Sequence, residues 1–165
     1  MTAESSSEQP GWTMRFLFLD IDGPLNTGRN DYLDPDRYGH HFDDAAVRNL
    51  RRIVEETGAK IVVSSSWRHM GLERIREIWK AWGLPGEIAG CTPGAWGSGR
   101  VFGCRGEEIW QWLAENADTD DAYVIIDDMG DKEALEEQKT CWIRINPHTG
   151  ISFDDATKAI AILMR

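Results

Sequence analysis

Residues 14–23 read Met-Arg-Phe-Leu-Phe-Leu-Asp-Ile-Asp-Gly. The apolar run Phe16 to Leu19 has no polar break and stops at Asp20. Such a run is too short for a buried helix, and turn-forming residues follow it, which predicts a buried strand. Asp20 closes that strand, so its side chain is held by the sheet. Asp22 lies two residues on, and Gly23 lets the chain turn sharply away.

The same pattern recurs along the chain. Ile61-Val62-Val63 runs into Ser64-Ser65-Ser66, and Tyr123-Val124-Ile125-Ile126 runs into Asp127-Asp128. Shorter strands are expected at Glu87–Cys91 and Cys141–Ile145. Helices are expected between them. Asp43 or Asp44 caps one with an apolar face of Ala46, Val47, Leu50, Ile53 and Val54, and Gly58 stops it. Leu72, Ile75, Ile78, Trp79 and Trp82 mark a second, ended by Gly83. Ile109, Trp110, Trp112 and Leu113 mark a third, and Ala156, Ile160 and Leu163 a last one. Asp131 is read as the start of a further helix. Unbroken apolar strands alternating with helices predict an α/β, doubly wound parallel sheet covered on both faces. Ligands of such sheets bind beyond the carboxyl ends of the strands, so the three polar groups that close strands should meet.

Four carboxylates at one place need a compensating charge, because free Asp titrates near 3.9 and like charges a few ångströms apart repel. Oxygen-only ligands select a hard cation, and few protein ligands with room for water favour Mg²⁺ over Ca²⁺. The acidic stretches lack the glycine of an EF-hand loop. One carboxylate of the Asp20/Asp22 pair can attack an electrophile while the other handles protons. The Ser64 hydroxyl, with backbone N–H groups beside it, suits a phosphate oxygen.

The chain has 165 residues, 41% hydrophobic and 28% charged, which suits one globular domain and excludes a disordered one. No apolar run reaches the roughly 18 residues of a membrane span. Residues 1–13 are polar and acidic, without the layout of a secretory signal, and are read as a loose tail. The expectation is a soluble, cytoplasmic protein with residues 14–165 as its one domain. Cys91, Cys104 and Cys141 cannot all pair within the chain, match no zinc spacing and are read as buried or idle thiols. His40 and His41 are adjacent, so their side chains point apart, which argues against a shared metal. The eight tryptophans are read mainly as core. The net charge of −10 disfavours non-specific nucleic-acid binding. Residues 48–105 nevertheless carry 10 basic and 5 acidic side chains, enough to hold a local phosphate. Arg68, Arg100 and Arg105 stand out there because they sit in predicted loops.

Three motifs in order, Asp-x-Asp-Gly, a strand ending in Ser and a strand ending in Asp-Asp, resemble the haloacid dehalogenase-like (HAD) hydrolase superfamily. More narrowly, VVSSSWR (62–68), RGEEIWQWL (105–113), YVIIDD (123–128) and GISFDDATKAIAIL (150–163) resemble the small HAD domain of multi-enzyme RNA repair proteins. The resemblance implies a five-stranded sheet of order 3-2-1-4-5. It implies that Asp20 is the nucleophile that forms an aspartyl-phosphate and that Asp22 is the acid and base. Mg²⁺ would be held by the Asp20 carboxylate, the Asp22 carbonyl and Asp127, with Asp128 ordering the water around the ion. Ser64 and the N–H of Ser65 would hold the phosphoryl group.

One departure from the superfamily is clear. No Lys lies between Lys80 and Lys132, where a Lys upstream of the acidic strand end is usual. Arg105, opening the third helix after a Gly-rich loop, is taken as the substitute, able to contact a phosphate oxygen and Asp20. Arg68 is either a substrate contact or half of a structural ion pair. The connections at 23–42 and 92–105 are too short for an inserted cap domain. The expected substrate is therefore a phosphate on a nucleotide or a polynucleotide end. Two alternatives stay open, a phosphate- or partner-binding module that has lost catalysis and a phosphotransferase with the same intermediate. A signalling receiver domain would carry its acidic pair after the first strand and a later Lys, and is disfavoured. Oligomeric state is not legible.

Overall fold

In the computed structural model, which describes residues 13–28, 41–94 and 99–165, the run from Arg15 to Leu19 is the central strand of a five-stranded sheet. The strands are β1 (Arg15–Leu19), β2 (Lys60–Val63), β3 (Ile88–Cys91), β4 (Ala122–Asp127) and β5 (Trp142–Arg144). Every pairing is parallel and the order is β3-β2-β1-β4-β5, as the resemblance implies. The α-helices are α1 (Asp44–Thr57), α2 (Leu72–Ala81), α3 (Arg105–Asn116) and α4 (Phe153–Leu163).

Strand side chains alternate between faces, and this sorts the core into two layers. Leu17, Leu19, Ile61, Val63, Val124 and Ile126 pack against α1, α2 and α4. Phe16, Phe18, Val62 and Ile125 pack against Ile109 and Trp112 of α3. The Trp112 ring meets Phe16 and Phe18 edge-on, with centroids 5.0 and 5.4 Å away. Gly90 of β3 lies beneath Trp112, where a Cβ would sit 3.3 Å from the indole nitrogen.

Local signals set the helix ends. The Asp43 side chain accepts from the backbone N–H groups of Ala45 and Ala46, so Asp43 is the cap of α1. Gly58 ends that helix at φ 67°, a left-handed conformation that favours glycine. Ser152 and Asp155 form a reciprocal capping box at α4.

Several details differ from the sequence reading. Strand β4 includes Asp127, and β5 is shorter than 141–145. Asp131 begins only a 3₁₀ turn, Asp131–Glu133, followed by a second at Glu136–Cys141. Trp67, Trp79 and Trp112 are buried, but Trp110 is 52% exposed, because α3 turns it away from the sheet when Ile109 and Trp112 face inward. The three thiols are free. The ring of His41 packs edge-on against Trp82. The tail reading for residues 1–12 and the position of His40 fall outside the described residues. Among the described residues, no helix is long and apolar enough to cross a membrane.

Candidate active site

Pleat parity brings the strand-end groups together. Asp20 lies two residues after Phe18, Ser64 two after Val62, and Asp127 two after Ile125, so all three emerge on the α3 face. The ladder continues past the strands to hold them in register. The Asp20 N–H donates to the Ile126 carbonyl at 3.0 Å, and the Ser64 N–H to the Leu19 carbonyl at 2.9 Å. Carboxylate oxygens of Asp20, Asp127 and Asp128 lie within 4.8 Å of one another. Asp20 and Asp127 are buried and Asp128 is half-buried.

Gly23 explains how Asp128 reaches this group. Gly23 has φ 107°, and a Cβ there would fall 3.0 Å from the Asp128 carboxyl carbon. The turn after Asp22 therefore packs directly on Asp128, at a conformation that side chains rarely adopt.

The carboxylate of Asp22 stands outside the trio. It accepts from the indole Nε1 of Trp67 and from Nδ2 of Asn26, both at 3.0 Å. It borders a cleft shared with Gly23, Thr27, Asp128 and His148, of about 430 Å³. Two hydrogen bonds from different elements hold this side chain over the mouth of the site.

Among the described residues, Arg105, the first of α3, is the cation that reaches the trio. Its Nη1 donates to Asp127 Oδ2 at 3.2 Å and to the Ser64 carbonyl, and lies 3.9 Å from Asp20 Oδ1. The backbone N–H of Arg105 donates to Glu133 at 3.0 Å. Gly106 next to it is closely packed, since a Cβ would fall 2.7 Å from the Leu135 N and 2.9 Å from the Glu133 carbonyl. Gln138 closes this contact by donating to the Gly106 carbonyl and accepting from Leu135. The segment after β4 thus clamps the start of α3, and the clamp aims Arg105.

One guanidinium does not balance three carboxyl groups. Burial, and then the charge of Asp127, push the Asp20 carboxyl up to about 8, against the pull of Arg105. Burial also pushes Asp127 up to about 6, while Arg105 and the Met129 N–H act in the opposite sense. Ser64 Oγ is buried beside this group and has no hydrogen-bond partner among the described residues. A set of oxygens that repel one another, next to an orphaned hydroxyl, is a donor set suited to a cation and an oxyanion. The oxygen donors and the excess negative charge fit a hard divalent cation such as Mg²⁺.

The remaining expected residues have other contacts. Ser65 Oγ accepts from the Trp67 N–H at 3.2 Å, capping a 3₁₀ turn at Ser66–Met70, so its side chain is structural. Arg68 forms a two-pronged pair with Glu108 of α3, at 3.0 and 2.9 Å, with both side chains largely covered. That pair is the structural alternative weighed for Arg68, and it engages both terminal nitrogens. Trp67, Asn26, Glu108 and His148 were not legible as site residues. Thr92 carried a signal that could have found it, since it closes β3 as Ser64 closes β2.

None of the curated proteins compared matches the chain. Residues 16–156 match the family described as the HAD domain in Swiss Army Knife RNA repair proteins. That span takes in Asp20, Asp22, Ser64, Arg105 and Asp127-Asp128 together with β2 to β5 and all of β1 but Arg15. The chain belongs to this family of HAD domains, a phosphohydrolase-type branch of the HAD fold.

Proposed function

We propose that this chain is a Mg²⁺-dependent phosphomonoesterase that works through an aspartyl-phosphate on Asp20, with a nucleotide or polynucleotide end as substrate. The observation that carries the reading is the row of Asp127, Asp20 and Ser64 on one pleat face, with Asp128 and Arg105 closing on it. Family membership and the family's association with RNA repair support the same class of chemistry.

Asp20, Asp127 and the backbone carbonyl of Asp22 would hold the ion, with Asp128 ordering the water around it. When bound, Mg²⁺ offsets the charge of the carboxylates and of the phosphoryl oxygens they face. Ser64 Oγ and the Ser65 N–H receive two phosphoryl oxygens, and Arg105 offers a third donor from the α3 side. Asp20 attacks phosphorus, the ester P–O bond breaks, and Asp22 gives its proton to the leaving oxygen. Asp22 then takes a proton from water as that water attacks the same phosphorus. The P–O bond to Asp20 breaks, which releases phosphate and restores the carboxylate. Trp67 and Asn26 hold Asp22 in place for both proton transfers. Positioning and charge neutralisation together must supply most of a very large barrier reduction.

The test is phosphate release from an aryl phosphate, from nucleotides and from 5′- and 3′-phosphorylated oligonucleotides, with Mg²⁺ or EDTA. Turnover should require the metal, and Asp20→Asn should abolish it while the protein stays folded. A fully active Asp20→Asn protein would remove the nucleophile from this scheme.

A further inference from the structure

The row of strand-end side chains does not stop at Ser64. The Thr92 N–H donates to the Val63 carbonyl at 3.0 Å, so the β2–β3 ladder runs one step past β3. Thr92 lies two residues after Gly90, which faces Trp112, and so Thr92 emerges on the same α3 face as Asp20 and Ser64. Asp127, Asp20, Ser64 and Thr92 thus stand in sequence across β4, β1, β2 and β3.

Thr92 lines a small cavity of about 160 Å³ with Arg68, His69, Cys91 and Gly94. Two polar atoms of these lining residues, Thr92 Oγ1 and Arg68 Nε, are buried without a hydrogen-bond partner among the described residues. Thr92 is 3% exposed. The other guanidinium nitrogens of Arg68 are fixed by Glu108, so Nε is held in one place. Gly94 lies against it, where a Cβ would fall 2.5 Å from Nε. Buried donors without partners are costly, and here two sit on one polar pocket beside the proposed phosphoryl site.

Resting on the phosphatase reading above, we propose that this pocket is a second anion subsite, which takes the phosphodiester next to the terminal phosphate of a polynucleotide end. Thr92 stands two strand spacings, about 10 Å, from Asp20. A phosphate joined to the reacting one through a shared oxygen is too near to reach it. A phosphate one nucleotide away spans that gap. Thr92 Oγ1 and Arg68 Nε would each donate to a phosphodiester oxygen, and the pocket would select a strand end over a free mononucleotide.

The experiment is calorimetric binding, in Mg²⁺, of a mononucleotide and of dinucleotides with one 5′- or one 3′-terminal phosphate, using the full chain. Asp20→Asn is used throughout so that no probe is consumed. At least one dinucleotide should bind about tenfold more tightly than its mononucleotide, the worth of a charge-assisted hydrogen bond. Adding Thr92→Val should remove most of that gain, and Thr92→Ser should keep it. Equal binding of mono- and dinucleotides would overturn the proposal and leave a pocket that holds water. A gain that survives Thr92→Val would overturn it as well. Aryl phosphate turnover by the unmodified protein is read separately. Its absence counts against the phosphatase reading and leaves the binding comparison standing.

Discussion

Replacing Asp20 by Asn should stabilise the cation-free protein at high pH. Burial and the neighbouring Asp127 push the Asp20 carboxyl up to about 8. An unfolded Asp titrates near 3.9. Between about pH 4 and pH 8 the folded chain therefore holds a proton that the unfolded chain has lost. Stability is fully present below that window and falls as pH rises through it. Each pH unit across the window is worth about 1.4 kcal/mol, so complete ionisation of Asp20 in the fold costs on the order of 5 kcal/mol. Asparagine keeps the oxygen that accepts from the Ile21 N–H and carries no charge. The variant should be a few kcal/mol more stable at pH 8.5, roughly 10 °C in Tm for a chain of this size. The difference should shrink to near zero by about pH 4, where the unfolded carboxyl is itself half protonated. Mg²⁺ should narrow it at pH 8.5, because only the wild type presents the full carboxylate set to the ion. Thermal unfolding at both pH values, in EDTA and in Mg²⁺, measures all four quantities. A variant no more stable than wild type at pH 8.5, or a gain that does not change with pH, would refute the electrostatic burden assigned to Asp20.

Three other substitutions probe the supports of the site. Gly106→Ala places a methyl group 2.7 Å from the Leu135 N, so overpacking should cost about 1–3 kcal/mol in urea unfolding and lower phosphate release through Arg105. Unchanged stability would mean that the clamp is loose. Glu108→Ala leaves the guanidinium of Arg68 in a covered site without its partner and should cost roughly 3 kcal/mol, with Glu108→Gln costing less; equal losses in a denaturant titration would count against the charge pairing. Trp67→Phe deletes the indole N–H that holds Asp22. It should lower kcat about five- to tenfold with little change in KM, beside the modest loss of Tm expected of trimming a buried ring; an unchanged kcat would show that the indole N–H does not position Asp22.

Much of the site was legible in the amino-acid order alone. Apolar runs that stop at Asp20, Ser64 and Asp127 mark buried strands whose ends carry chemistry, and strand parity is a local property of the backbone. Arg105 was legible as the opening residue of a helix near the acidic strand end. The exposed Trp110 was not, because four apolar residues in five leave the inward face of α3 ambiguous until the sheet beneath it is placed.

The sequence by itself determined which side chains end strands, how the strands alternate with helices, and that a surplus of carboxylates would gather at one edge. Only the tertiary structure decided who meets whom across that edge. Arg68 pairs with Glu108, 40 residues away, and Asp22 is held by Trp67, 45 residues away. Thr92 joins the row because β3 lies beside β2. The physical reason is one of range. Periodicity and turn chemistry act over a few residues, whereas these pairings depend on strand order, register and the docking of α3, which no local stretch of chain encodes.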